Sequence, residues 1–308
     1  MTRIRFLLLP SLVFLFAGTL LAQSKETKIR FSVLDEQNNS VKDLQFSDLH
    51  VAINKKPVRI NSLKLSGELP LRVMILIDCS MSEQRTIPDE KRFAESFIDK
   101  ALKKGVDSVG VSKFSSSVDV LYDPGSNFEL AKTKLRSIEV EMPSGYIGGG
   151  TIITNAPPPI MPAGTAGATT VFDAVSRGIS VLANSSSGNK RNVVLLISDG
   201  VNTAGDKKLK DAVKEWELSD VTVFAVGIGD SNYNGVDNKT LKKITEPTGG
   251  LAVVPRKAID TDTQLTRLAN SMRYYYEATT TDLLAQPNDV KVEFAGDKKL
   301  QVNSVIMR

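Results

Sequence analysis

From Leu71 to about Tyr276 the chain alternates short apolar runs with amphipathic stretches, and this alternation restricts the fold more than any other feature. The runs Arg72–Ile77, Ser108–Phe114, Val193–Ile197, Val221–Gly227 and Gly250–Val254, with a weaker Val118–Tyr122, read as strands. Most are rich in Val and Ile and apolar on both faces, as parallel strands covered by helices must be. The segments between them read as helices: Pro88–Lys104, Asn127–Ile138, Thr170–Ala183, Asp206–Leu218, Asn238–Thr245 and Thr263–Tyr275. In the first, Phe93, Phe97, Ile98 and Ala101 share one face, and Gly105 is placed to end it. The pattern is that of an α/β fold, a doubly wound, mostly parallel sheet flanked by helices. Ligands of such folds bind where the carboxyl ends of the strands share one rim.

The flanks differ in character. Lys28–Leu34, Leu49–Ile53 and Val58–Lys64 precede the α/β region, and Glu277–Thr281, Val290–Phe294 and Leu300–Ile306 follow it. Neither flank has strands enough for a core of its own. They are expected to pair into a small β module built from both chain ends. At the amino terminus a basic stub (Arg3, Arg5), an apolar run from Phe6 to Leu21, and Ala22 make the order of a secretory signal peptide, with an uncleaved anchor as the competing reading. The chain therefore divides into a signal peptide (1–22), an N-terminal β segment (23–70), an α/β domain (71–276) and a C-terminal β tail (277–308) packing against the N-terminal segment. No later run is long enough to span a bilayer, so a secreted, periplasmic or cell-envelope protein is expected.

Charge and rare residues exclude several functions. The formal net charge of +4 falls to +2 with the loss of Arg3 and Arg5, and the lysines are scattered among acids. This is a solvated surface and no nucleic-acid footprint. Cys79 is the only cysteine and His50 the only histidine, which removes intrachain disulfides, zinc sites of His and Cys, and most routes to a Ser-His-Asp triad. The run Asp230-x-Asn232-x-Asn234-Gly235 begins like a calcium loop, but Leu241 stands where a bidentate Glu is required. Gly227-Ile-Gly229 lacks the third glycine of a dinucleotide fingerprint. Tyr274-Tyr275-Tyr276, at a helix-to-strand junction, reads as packing between modules. Pro143–Gly167 carries no charge, is rich in Gly and Pro, and is too long for an ordinary connector. A functional loop and an insert without structure fit it equally.

Five oxygen-bearing side chains stand out because each follows an apolar run or opens a helix. Asp78, Ser80 and Ser82 follow the first strand, Asp199 the strand ending at Ser198, and Thr169 precedes Thr170-Val-Phe-Asp173-Ala-Val. Singly, each reads as readily as a cap or a turn residue. Together, two carboxylates and three hydroxyls are the ligand set of a hard, octahedral divalent cation. Thr170 competes with Thr169 for the threonine role. Cys79, between ligands, reads as a small buried apolar residue.

The ordered set Asp78-x-Ser80-x-Ser82, Thr169, Asp199 resembles the metal-ion-dependent adhesion site of the von Willebrand factor type A domain, and the resemblance covers Leu71 to Tyr276. Met81 and Ala168 stand where many members have Gly; neither is a ligand position. The resemblance implies Mg²⁺ or Mn²⁺ held by Asp78, Ser80, Ser82, Thr169 and Asp199, with the hydroxyls direct and the carboxylates largely bridged by water. It implies one open coordination position for the carboxylate of a protein partner. The expected role is recognition and not catalysis, in an exported, bacterial-type adhesion module. A structural or envelope-assembly scaffold with a vestigial metal site is the alternative. A metal-dependent hydrolase, lacking a histidine base, is a third.

Overall fold

In the computed structural model, which describes residues 26–66, 69–142, 168–184, 190–231, 235–255, 258–281, 290–294 and 300–307, the chain opens with four short strands. These are β1 (Thr27–Leu34), β2 (Leu49–Ile53), β3 (Lys56–Val58) and β4 (Ser62–Leu65). The leader expected at 1–22 and the segment Pro143–Gly167 lie outside the described residues. The α/β region follows as β5 (Leu71–Asp78), α1 (Ile87–Ala101), β6 (Ser108–Phe114), β7 (Val118–Gly125), α2 (Phe128–Arg136), α3 (Val171–Asn184) and β8 (Arg191–Ser198). It continues through α4 (Leu209–Glu217), β9 (Val221–Gly227), α5 (Asn238–Thr245), β10 (Ala252–Val253) and α6 (Ala258–Arg273). The chain returns to strands with β11 (Tyr276–Thr280), β12 (Val290–Phe294) and β13 (Gln301–Met307).

The central sheet has the order β10-β9-β8-β5-β6-β7, parallel except for β7, which pairs antiparallel with β6 at one edge. Every residue of β5 is buried, so both its faces are covered. Strand alternation assigns those faces. Val73, Ile75 and Ile77 pack with Phe93 and Phe97 of α1, Leu135 of α2 and Leu268 of α6. Met74 and Leu76 pack with Val175 and Ile179 of α3, Trp216 of α4 and Ile244 of α5. The doubly wound, mostly parallel sheet expected from the apolar runs is therefore present. Asn127 and Asp237 start α2 and α5 by accepting the Leu130 and Thr240 N–H groups, as N-cap residues do.

Several elements depart from expectation; α6 runs Ala258–Arg273 where Thr263–Tyr275 is expected. Helix α1 ends at Ala101 and not at Lys104; Gly105, at φ 80°, serves the turn beyond it. Gly250–Val254 contracts to two paired residues, 252 and 253. Val58–Lys64 breaks into β3 and β4, which belong to different sheets, because the Arg59 carbonyl and the Asn61 N–H bond to Thr280 and Thr279 of β11 instead.

The chain ends form two small antiparallel sheets, β13-β1-β11-β4 and β12-β2-β3. Asn54 and Lys55, both at positive φ, make the tight turn between β2 and β3, as a two-residue hairpin requires. The two sheets share one core, in which Ile29, Phe31 and Val33 meet Val51, Ile53, Tyr276 and Val292. The three tyrosines join this module to the α/β domain. Lys42 Nζ lies 3.9 Å from the Tyr274 ring centre, and Arg30 and Arg191 lie 5.5 and 4.6 Å from that of Tyr275. Tyr276 stacks on Phe31 and accepts the Leu44 N–H at 3.0 Å.

Candidate metal centre

The strand order reverses at β5: the chain runs outward through β6 and β7, then returns to the other flank of β5 as β8. A crevice opens between the carboxyl ends of such strands, because their following loops depart in opposite directions. Asp78 is the last residue of β5, and Asp199 comes directly after β8. Ser198 Oγ joins the two strand ends by donating to Asp78 Oδ2 at 2.8 Å, and it accepts the Gly200 N–H at 3.0 Å. Gly200 has φ 83°, and a Cβ there would stand 2.8 Å from Leu241 Cγ and 3.0 Å from the Asp237 carbonyl, so the turn after Asp199 requires glycine.

Four of the five expected residues are directly linked. Asp78 Oδ1 accepts the Ser80 N–H at 3.0 Å, and Ser80 Oγ is 3.0 Å from Ser82 Oγ. The side chain of Ser82 bonds to that of Asp199, and Asp199 Oδ1 accepts the Val201 N–H at 2.8 Å. Thr169, also buried, is tied to the loop beyond Asp199. Its N–H donates to Thr203 Oγ1 at 2.8 Å, and its carbonyl accepts the N–H groups of Thr203 and Ala204. The Thr170 hydroxyl donates elsewhere, to the Ser115 carbonyl at 2.9 Å. Cys79 is fully buried, with Sγ 3.2 Å from the Phe114 carbonyl, and burial pushes its thiol up to about 12. It is chemically quiet.

The arrangement fits a small divalent cation. Adjacent ligands of an octahedral ion at about 2.1 Å stand about 3.0 Å apart, which is the spacing of the Ser80 and Ser82 hydroxyls. Carboxylate oxygens of Asp78, Asp199 and Glu83 lie within 4.8 Å of one another, and all three residues are buried. Such a cluster binds a cation or holds protons. Burial pushes Asp78 up to about 7, against the pull of hydrogen bonds from Ser80 and Ser198. Burial raises Glu83 to about 8 and also raises Asp199 and Glu90.

Without a bound metal, the stability of the protein depends on pH. The folded chain retains protons on these acids that the unfolded chain releases near their ordinary values of 3.8 and 4.5. Their contribution to stability is full below about pH 4 and is lost as pH rises toward 8. Thermal unfolding in EDTA should give a higher Tm at pH 5 than at pH 8, and Mg²⁺ should raise Tm more at pH 8. A Tm in EDTA that climbs between these pH values would contradict the assignment.

Glu83, Glu90 and Ser198 were not among the residues singled out from sequence. A signal for the two acids exists: Glu83 and Glu90 occupy the same three-and-four-residue stripe as Ile87, Ala94, Phe97 and Ala101, the buried face of α1. Ser198 carries no such mark.

Known proteins share this fold. A von Willebrand factor type A domain from Catenulispora acidiphila has the same fold, with 13% identity and a TM-score of 0.50 over 93% of this chain and 74% of that one. Manganese-loaded TRAP protein of Plasmodium vivax aligns over 80% of this chain and 95% of that one, at 12% identity and a TM-score of 0.46. Proximal thread matrix protein 1 from the mussel byssus, with a zinc-occupied MIDAS motif, aligns at 16% identity and a TM-score of 0.46, covering 68% of this chain. This chain spans about half the length of that mussel protein, 49%. No curated protein matches by sequence. Among the described residues, no helix is long and apolar enough to cross a membrane. Two family models of the von Willebrand factor type A domain match at residues 73–202 and 160–289, together spanning most of the chain, and the protein belongs to that family.

Proposed function

We propose that this protein is an exported, metal-dependent binding module that captures an acidic side chain of a protein partner through a divalent cation, Mg²⁺ or Mn²⁺. Asp78, Ser80, Ser82, Thr169 and Asp199 hold the cation. When bound, it supplies a positively charged coordination position to which a foreign carboxylate adds as a charge-assisted ligand. The chain's own part is to present oxygen ligands on a rigid strand-end scaffold. Ser198 braces Asp78, and the Asp199 turn is fixed by Gly200.

The observation that carries the reading is the convergence of buried carboxylates and paired hydroxyls at the β5–β8 crevice. Membership of a family whose domains serve as interaction modules agrees with it. The set contains no histidine that could act as a base, which fits recognition and not turnover.

Acidic peptides test it. A random peptide library panned on the Mn²⁺-loaded protein and eluted with EDTA should enrich sequences sharing an Asp or Glu, and Asn or Gln in its place should abolish binding. Enrichment indifferent to EDTA would refute metal-mediated capture and favour the scaffold reading.

A further inference from the structure

Glu83 follows the last hydroxyl of the Asp-x-Ser-x-Ser run, yet it is fully buried and turned inward. Its Oε2 accepts the Thr86 hydroxyl, and its Oε1 is 3.5 Å from Ser82 Oγ. The carboxylate thus stands beside Asp78 and Asp199. Behind it, Glu90 is also fully buried, and neither of its carboxyl oxygens has a hydrogen-bond partner of good geometry. The group it faces is Glu83.

Neighbouring cations are committed elsewhere. Arg85 pairs with Asp230 at 3.3 Å, Arg92 with Asp89 at 2.7 Å, and Lys91 donates to the carbonyls of Arg136 and Ile138. With no compensating side-chain cation among the described residues, four buried carboxyls are untenable as four anions. Glu90 meets its hydrogen-bonding need as a neutral acid donating to Glu83. Glu83 presents its carboxyl to Asp78 and Asp199, and its side chain bonds to that of Asp199.

The geometry points to Glu83 as a third carboxylate around the divalent cation, oriented by Thr86 and backed by Glu90, on the buried side of the site. This deepens the proposed function and rests on its reading of the site. Two carboxylates with three hydroxyls leave a divalent cation strongly electron-poor. A third carboxylate holds the cation more tightly and weakens its pull on an incoming acid. It also adds a carboxylate to the buried side of the site, in a donor set suited to ions that accept several carboxylates, Mn²⁺ and Ca²⁺ as well as Mg²⁺.

The test uses the full chain and Mn²⁺ alone, with free Mn²⁺ measured by electron paramagnetic resonance. Glu83→Gln should weaken Mn²⁺ binding by about 10- to 100-fold, the range for groups that tune a bound ion. Its metal-free Tm should equal or exceed that of the unsubstituted protein, since a buried acid becomes a neutral isostere. Unchanged Mn²⁺ affinity in Glu83→Gln, with binding lost in Asp78→Asn, would overturn the role of Glu83 alone. Unchanged affinity in both would overturn the metal site itself. If Glu83→Gln melts far below the unsubstituted protein, Thr86→Val decides, because it removes only the orienting hydroxyl. A loss of several-fold is then expected, and no loss overturns the inference.

Discussion

Asp78→Asn is expected to lower divalent-cation affinity by on the order of 100-fold or more, and to abolish any carboxylate capture that depends on the cation. The substitution removes charge while keeping shape. Asn retains a carbonyl oxygen to accept the Ser80 N–H, and its amide group can donate to Ser198 Oγ where Asp78 Oδ2 accepted. The network between β5 and β8 then persists without the anion. Because burial holds the Asp78 carboxyl up to about 7, its charged form is a cost to the metal-free fold, and the neutral amide relieves it. In EDTA the variant should melt no lower than the unsubstituted protein. Asp78→Ala should lose the cation equally but also leave the Ser80 N–H without its acceptor. Calorimetric titration with Mg²⁺ and Mn²⁺ measures the effect, and near-normal affinity in a folded Asp78→Asn protein would remove the basis for the site.

The largest effect on stability is expected at the opposite end of β5. Asp107, in the loop before β6, is completely buried, and the side chain of Arg273 at the end of α6 is 7% exposed. The carboxylate accepts the Leu71 N–H at 2.8 Å, the Lys103 N–H at 2.6 Å and the Arg273 guanidinium. Arg273 also donates to the Ala101 carbonyl at 2.7 Å. One ion pair thus joins the start of β5, the end of α1 and the last helix, just before the tyrosines that anchor the β module. Removing one partner of a buried pair strands the other, at about 3–5 kcal/mol. Arg273→Ala should therefore lower stability by that amount and Tm by roughly 10 °C. Denaturant unfolding of Arg273→Met, Asp107→Asn and the double variant would isolate the coupling between them. A loss under about 1 kcal/mol for Arg273→Ala would mean that the pair adds little beyond packing. Metal affinity should be unchanged in folded Arg273→Ala, because β5 separates the two sites by roughly 20 Å.

What the sequence determined by itself was whatever depends on near neighbours. Ser108–Phe114, Val221–Gly227 and Asn238–Thr245 form over the expected residues, because apolar periodicity and caps act within a few positions. The spacing Asp78-x-Ser80-x-Ser82 identified the carboxyl end of β5 as a candidate site, since three polar side chains so close on a turn need little more than the local backbone to meet. Tertiary structure decided everything that depends on partners far along the chain. Val58–Lys64 looked like one strand, but β11, more than two hundred residues away, draws Arg59 and Asn61 into hydrogen bonds that divide it. The two flanks acquire a core only because the chain ends meet. Spacing alone puts Glu83 and Glu90 on the buried stripe of α1, but only the folded sheet brings Glu83 beside Asp78 and Asp199. Periodicity reports which face of an element is covered; the charge at that face, and what must neutralise it, depend on which strands the sheet register brings alongside.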